Sequence, residues 1–210
     1  VSMTQQVSKG GKASRRDELL AIAAELFAQR GFKNTTVRDI ADAAGILSGS
    51  LYHHFDSKES MVDEILSTFQ AELFRRYDEV VASDLDPRAK FEAVITLSFE
   101  AIHDHHSEVA IYQNDAAYLA EFDRFGYLNE RNAQMRKLWV GMLEDGVATG
   151  AFRPDLDVEV VYRFIRDTVW VAVRWYRPGG ELSAADVAGQ YLSILLDGIA
   201  ARRRPVRSKT

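Results

Sequence analysis

Apolar residues recur every three or four positions along most of the chain, which is the spacing of one face of an α-helix. Between Arg15 and Arg30 they mark a single face, and Gly31 follows where a helix is expected to end. No segment shows the alternating β-branched pattern of a strand. The sequence therefore predicts an all-α fold, with helices at about 15–30, 36–44, 48–55, from 58 onward, 87–105, 109–119, 127–149, 158–176 and 183–201.

The short helices near the N-terminus are spaced as a helix-turn-helix. Thr36 and Asp39 form a capping box, in which each side chain can bond the backbone N–H of the other, and this begins the second helix. Gly45 ends that helix, and a turn leads to a short third one. Two short helices joined by a Gly-containing turn are typical of DNA-binding regulators.

A helical wheel predicts which side of the third helix is buried. With Leu51 facing inward, Leu47 and Phe55 fall about 40° to either side of it. These three positions are apolar. We therefore expect all three to pack against the rest of the domain.

The opposite side of the third helix is small and polar. Gly49 and His53 point away from the core, with Ser50 and Tyr52 on the flanks. Hydroxyl and imidazole groups can donate to phosphates or base edges, and a glycine lets the helix approach a groove. Lys58 follows at the start of the fourth helix, a position suited to a phosphate. A solvated face on a small helical subdomain is the alternative.

This N-terminal segment resembles the DNA-binding domain of the TetR family of repressors. The resemblance rests on residues 35–41 (TTVRDIA), 44–45 (AG), 50–55 (SLYHHF) and 57–59 (SKE). Ser60 departs from it, because the family usually has an acidic residue there. The resemblance implies that Thr36 and Lys58 contact the DNA backbone, and that the major groove is met by Ser48, Gly49, Ser50, Tyr52 and His53.

A stripe of basic residues runs through the predicted helix 158–176. Arginines at 163, 166, 174 and 177, together with Trp170, are spaced three or four residues apart and so share one helical face. Because buried charge needs a partner, two explanations remain open. The arginines form salt bridges within or between subunits, for example with Asp155, Asp157, Asp167 or Asp186. Alternatively, arginines of the stripe, with Arg166 and Arg174 as candidates, bind the phosphates of an anionic ligand whose aromatic base stacks on Trp170.

Other candidate ligand residues lie outside this stripe. Tyr112 and Trp139 can each place a polar group in an apolar cavity, although aromatic residues at helical spacing are usually core. His103 and His106 share a helix face, but without a third ligand a solvated helix end explains them better than a metal.

Composition narrows the function further. The chain of 210 residues has no cysteine, which excludes disulfides, cysteine-ligated metals and a thiol nucleophile. It contains no apolar run of membrane-spanning length, no nucleophile elbow and no Gly-rich phosphate loop. We therefore expect a cytoplasmic protein that is not an enzyme, has no catalytic residues, cofactor or metal, and does not contact a membrane.

Charge is unevenly distributed. Residues 1–60 carry 8 basic and 7 acidic groups, residues 61–200 carry 13 and 24, and the last ten carry five basic groups and no acid. This fits a nucleic-acid-binding module joined to an acidic body, although an ordinary acidic surface is an alternative. We expect a disordered arm (1–13), a DNA-binding domain (14–60), a ligand-binding and dimerisation domain (61–201) and a disordered basic tail (202–210).

The body is similar to one branch of the TetR family, the actinobacterial repressors of ketosteroid regulons that control late cholesterol catabolism. The resemblance rests on residues 100–102 (EAI), 109–113 (VAIYQ), 130–132 (ERN), 136–137 (RK), 152–157 (FRPDLD) and 161–180. It implies a homodimer that binds a palindromic operator and is released by a CoA thioester of a sterol-ring catabolite. The predicted helices 158–176 and 183–201 would pair with those of a second subunit, unless they pack only within one chain.

Three other functions remain open at this point. The first is a TetR-like repressor that responds to a different acyl-CoA or apolar effector. The second is a CoA-binding module that has lost DNA binding. The third is an enzyme acting on acyl-CoA, for which the sequence shows no catalytic constellation.

Overall fold

The computed structural model of the chain describes residues 14–197, and every regular element within them is a helix. The predicted all-α fold is confirmed. The α-helices are α1 (Arg15–Arg30), α2 (Val37–Ala43), α3 (Ser48–Leu51), α4 (Lys58–Ala82), α5 (Pro87–Asp104), α6 (His106–Leu119), α7 (Tyr127–Ala148), α8 (Val158–Val169) and α9 (Ala184–Asp197), with 3₁₀ helices at Asp123–Phe125 and Trp170–Arg174. The predicted arm (1–13), basic tail (202–210) and end of the last helix (198–201) lie outside the described residues.

Short polar side chains begin several helices. Ser14, Thr36, Ser57 and Asp86 each accept a hydrogen bond from the backbone N–H three residues later. Such caps typically contribute about 1 kcal/mol each. The capping box of Thr36 and Asp39 is present as predicted, because it depends only on residues three positions apart.

The third helix is shorter than predicted, and one of its apolar residues is not buried. Regular helix ends at Leu51, and hydrogen-bonded turns continue to Phe55, whose N–H donates to Leu51 O. Leu51 and Phe55 are buried as expected, whereas Leu47 is 80% exposed. Leu47 is the extended N-cap residue, so it precedes the helix and the wheel does not apply to it. Gly45, with φ of +66°, forms the preceding turn.

The hydrophobic core around the N-terminal helices includes residues far away in sequence. Besides residues of α1 to α4, it contains Ile111 and Leu119 of α6, Phe125, and Leu128 of α7. Asp115 of α6 adds a polar contact, because its carboxylate accepts a hydrogen bond from Phe32 N at 3.1 Å. The hydrophobic core of the N-terminal helices therefore extends across the predicted domain boundary at residue 60.

The second core fills the body, where α5 packs against α4, α7 and α9. Trp139 lies at its centre, 2% exposed, and meets Tyr77 and Phe91 edge-on at centroid distances of 6.3 and 5.9 Å. Among residues 14–197, no helix combines the length and apolar composition needed to cross a bilayer.

The predicted helix 158–176 does not continue as one α-helix. α8 ends at Val169, and residues Trp170–Arg174 form a 3₁₀ helix. Two histidines hold this segment: His103 Nδ1 lies 2.7 Å from the Tyr176 hydroxyl, and His106 Nε2 lies 3.0 Å from Val173 O. Because 3₁₀ geometry turns about 120° per residue rather than 100°, Arg174 is rotated away from the face of Trp170.

Candidate functional site

The polar surface of the helix-turn-helix is formed by the residues predicted to meet DNA. Gly49, Ser50, Tyr52 and His53 are exposed, and Ser48 is partly exposed. Tyr52 is 55% exposed, so its ring stands clear of the domain. The exposed Leu47 lies beside them, an apolar group that the wheel placed in the core.

The hydroxyl of Thr36 is engaged within the capping box. It donates to the carboxylate of Asp39 and accepts from Asp39 N at 3.1 Å. The hydroxyl and backbone N–H of Thr36 hold the pKa of Asp39 below its usual range, with smaller contributions from nearby arginines. Asp39 is therefore ionised, and a phosphate that reached Thr36 would meet a negative charge next to it.

Lys58 also has partners inside the domain. Its ammonium donates to Phe32 O at 2.8 Å and to Thr35 O at 3.0 Å, and lies 4.2 Å from the centroid of the Phe32 ring. These contacts tie the start of α4 to the loop between α1 and α2. The ammonium has three N–H donors, so these two bonds leave one for the predicted phosphate contact.

A cavity of about 150 Å³ opens in the body between α4, α6, α7 and α8. Its apolar lining includes Phe69, Leu73 and Phe74 of α4, and Val109 of α6. Among the lining residues, Asn132, Arg166 and Asp167 are exposed and so mark the side that faces solvent. The site thus combines an apolar interior with a polar, charged entrance.

Three of the predicted ligand residues meet at this cavity: Tyr112, Arg166 and Trp170. Trp170 is 8% exposed, so its indole belongs to the interior. The Tyr112 hydroxyl donates to Asn132 Oδ1 at 2.6 Å, and burial raises the pKa of Tyr112 to about 12.

Arg166 forms a two-bond contact with its neighbour in sequence. Its Nε and Nη2 donate to the two carboxylate oxygens of Asp167 at 2.6 and 2.9 Å. This contact raises the pKa of Arg166 and lowers that of Asp167. The salt-bridge explanation of the stripe therefore holds for this arginine, whose side chain remains 50% exposed.

Arg174 and Trp139, the other predicted ligand residues, do not line the cavity. Arg174 is carried away by the 3₁₀ segment, which interrupts the predicted stripe. Trp139 is core, as aromatic residues at helical spacing usually are. His103 and His106 face the 3₁₀ segment, and residues 14–197 contain no cluster of three or more metal-binding side chains.

Sequence reasoning missed four polar lining residues, Gln70, Gln113, Arg131 and Asn132. Arg131 of α7 lies 5.0 Å from the centroid of the Phe74 ring and donates to Gln134 Oε1 at 2.9 Å. Gln70 of α4 is 4% exposed. A single glutamine on a long amphipathic helix gives no sequence signal, and only the tertiary fold shows that it faces a cavity.

Comparisons with known proteins agree with this arrangement. Residues 19–65 match the family described as "Bacterial regulatory proteins, tetR family". Residues 84–199 match "Tetracyclin repressor-like, C-terminal domain". The HTH-type transcriptional repressor KstR2 of Rhodococcus jostii (strain RHA1) is 64% identical over 191 residues, which are 91% of this chain and 94% of that protein.

Solved structures show the same fold. The ketosteroid transcriptional regulator KstR2 of Mycobacterium tuberculosis has a TM-score of 0.87 and 58% identity, with 91% of this chain and 98% of that chain covered. AibR, crystallised with isovaleryl coenzyme A and operator DNA, has a TM-score of 0.75 at 21% identity, with coverage of 86% and 97%. The named relatives are repressors rather than enzymes, as the sequence predicts, and this chain belongs to the TetR family as a transcriptional repressor of the KstR2 type.

Proposed function

We propose that this repressor binds a palindromic operator as a homodimer and is released by a CoA thioester of a sterol-ring catabolite. The observation that carries the proposal is the body cavity, where an apolar interior lies next to the arginine-bearing entrance. Two comparisons add support: the relatives named KstR2 are ketosteroid regulators, and AibR shares the fold and binds isovaleryl coenzyme A.

The size of the cavity indicates which part of a thioester would lie inside it and which part would stay at the entrance. Sites that bury a whole drug-sized ligand are typically about 300–1,000 Å³, well above the volume seen here. The acyl group therefore enters the interior beside Trp170, and the phosphates of CoA stay near Arg166 at the entrance. This assigns Trp170 to the acyl end rather than to stacking with the nucleotide base.

DNA binding is assigned to Thr36, Ser48, Gly49, Ser50, Tyr52, His53 and Lys58, as the family resemblance implies. Two copies of this surface would occupy successive major grooves, about 34–36 Å apart. To weaken operator binding 10- to 100-fold, the effector needs a preference of about 1.4–2.8 kcal/mol for the form that does not fit DNA. Charge-assisted hydrogen bonds of about 1.5–3 kcal/mol each are sufficient for this.

The decisive experiment follows fluorescence anisotropy of a labelled duplex from the region upstream of the gene. The duplex-bound protein is titrated with CoA thioesters of sterol-ring acids, fatty acyl-CoAs and the matching free acids. We expect release by the sterol-derived thioester alone. Release by fatty acyl-CoA instead would favour the second candidate, a repressor with a different acyl-CoA effector.

Two ligand-site variants test the assignment of the cavity. Arg166→Met and Trp170→Leu are expected to bind the duplex normally and to need at least tenfold more thioester for release. Arg163→Met is the matched control, because Arg163 is an exposed arginine of α8 outside the cavity lining. Normal release in both cavity variants would exclude this ligand site.

DNA-face variants test the other end of the molecule. Tyr52→Ala and His53→Ala are expected to weaken operator binding and to leave thioester affinity, measured by calorimetry, unchanged. Undiminished operator affinity would show that this surface does not meet DNA.

A further inference from the structure

One polar side chain at the cavity has an atom without a partner. Gln70 lies in the middle of α4, is 4% exposed and lines the cavity. Its Oε1 is buried and accepts no hydrogen bond within residues 14–197. Buried polar atoms of this kind destabilise a fold and are few in native proteins. A leucine would fill the position without this penalty, so the glutamine has a role other than packing.

The neighbouring groups do not supply the missing donor. The proton of the Tyr112 hydroxyl is already directed to Asn132 Oδ1. The Gln70 side chain acts on the Tyr112 hydroxyl by lowering its pKa, against the larger, opposite effect of burial. Tyr112 therefore has no proton left for Gln70 Oε1, which stays without a donor among the described residues.

We propose that Gln70 recognises an oxygen substituent on the ring of the bound acyl group. In the observed orientation, Oε1 accepts a hydrogen bond from a ring hydroxyl. Half a turn about the last side-chain bond would present Nε2 to a ring ketone instead. The repressor then selects oxygenated alicyclic acyl-CoAs over hydrocarbon acyl-CoAs of the same size. This inference rests on the proposed CoA-thioester function, and it restricts the ligand to thioesters whose acyl ring carries an oxygen substituent.

A set of three thioesters tests the selection. Cyclohexylpropanoyl-CoA and its ring-hydroxylated and ring-oxo derivatives are titrated into the full-length repressor bound to its labelled duplex. We expect at least one oxygenated derivative to release DNA at a concentration about tenfold lower than the hydrocarbon, since one hydrogen bond is worth about this factor. The preferred derivative shows which way the carboxamide points.

Gln70→Leu is the diagnostic variant. It is expected to reduce the difference among the three thioesters to within about twofold. The control is Gln29→Leu, which changes an exposed glutamine of α1 and should keep the tenfold preference. If Gln70→Leu does not fold, the same titrations are made with Gln70→Met, because methionine is unbranched like glutamine.

Thermal unfolding without ligand gives an independent readout. Because Gln70→Leu removes the unpartnered oxygen, we expect its Tm to equal or exceed that of the wild type. A clearly lower Tm would mean that the carboxamide stabilises the free protein, and the inference would be wrong.

The two proposals fail in different ways. If the wild type does not distinguish the three thioesters, or if Gln70→Leu keeps the preference, the role of Gln70 is excluded while the thioester function stands. If no thioester releases DNA, the function itself is excluded, and this inference with it.

Discussion

Asp167 is bonded to the guanidinium of Arg166, the group that the proposed ligand would contact. Its carboxylate holds Arg166 by two hydrogen bonds and offsets the positive charge that would attract a phosphate. We expect Asp167→Asn to lower the concentration of thioester needed for DNA release about two- to fivefold, the range of an exposed ion pair. The measurement is the anisotropy titration described above.

Asp155→Asn is the control for this prediction. Asp155 is an exposed acid paired with Arg153, and neither residue lines the cavity near Arg166. Its removal should leave the release concentration unchanged. A weaker response in Asp167→Asn would show that Asp167 helps to hold the ligand rather than competing with it.

His105, between α5 and α6, gives the molecule a pH-dependent contact. The carboxylate of Glu108, whose Oε1 lies 3.6 Å from His105 Nδ1, raises the pKa of His105 above its ordinary value of 6.5, against the opposing effect of burial. Since the fold favours the protonated ring, the resulting stability is fully present below the ordinary pKa. It is lost as pH rises through the higher folded value.

NMR titration of the His105 ring checks this prediction. We expect a midpoint above 6.5 in the wild type and a lower midpoint in Glu108→Gln, whose unfolding free energy should also vary less with pH. Glu144→Gln, an exposed change on α7, should alter neither quantity. Identical midpoints in the wild type and Glu108→Gln would contradict the assigned cause.

Helices α8 and α9 leave apolar side chains exposed. Phe164 is 65% exposed and Val160 is 42% exposed on α8, and Ile194 is 55% exposed on α9. Apolar exposure on adjacent helices is typical of a subunit interface. In the proposed dimer these residues meet their copies across a two-fold axis.

Phe164→Glu tests the interface. A charge at this position would be buried in the dimer without a partner, so we expect a monomer by sedimentation and a large loss of operator affinity. Lys137→Glu places the same charge on an exposed position of α7 and should remain dimeric. If the Phe164→Glu variant sediments as a dimer, the subunit interface does not include Phe164.

Elements whose signals are local could be predicted from the sequence, and those that depend on distant residues could not. The caps at Thr36 and Ser57 require only neighbours three positions away. The end of α8 depends on His103 and His106, about seventy residues earlier in the chain, which bind the 3₁₀ segment. Arg174 therefore does not line the cavity together with Arg166 and Trp170, and its role as a ligand residue stays a prediction.

The candidate site follows the same rule. Arg166 and Trp170 could be selected because they are one turn apart in the predicted helix 158–176, and both line the cavity. Gln70 could not, because its burial is set by four helices that meet only in the fold. Leu47 was assigned to the core because the wheel assumed a helix that begins only at the next residue.

At the scale of the molecule, the two cores share helices. The N-terminal core takes residues from α6 and α7, and α4 contributes to both cores. A fragment ending at residue 66 would expose the side chains that pack against Ile111, Leu119 and Leu128. We expect such a fragment to show no cooperative thermal unfolding by circular dichroism, whereas the full chain does. A sharp transition in the fragment would show that the N-terminal core is sufficient alone.

Helix α6 connects the two functional surfaces directly. Tyr112 lines the cavity, and Asp115, one turn later, binds the backbone of Phe32 beside the helix-turn-helix. If the proposed effector acts through this helix, the coupling is reciprocal: the factor by which the effector lowers operator affinity is also the factor by which the operator lowers effector affinity. Repressor molecules that are not bound to DNA then have the higher affinity for the effector and bind it first. The number of surplus copies in the cell would therefore set how much catabolite must accumulate before the genes are switched on.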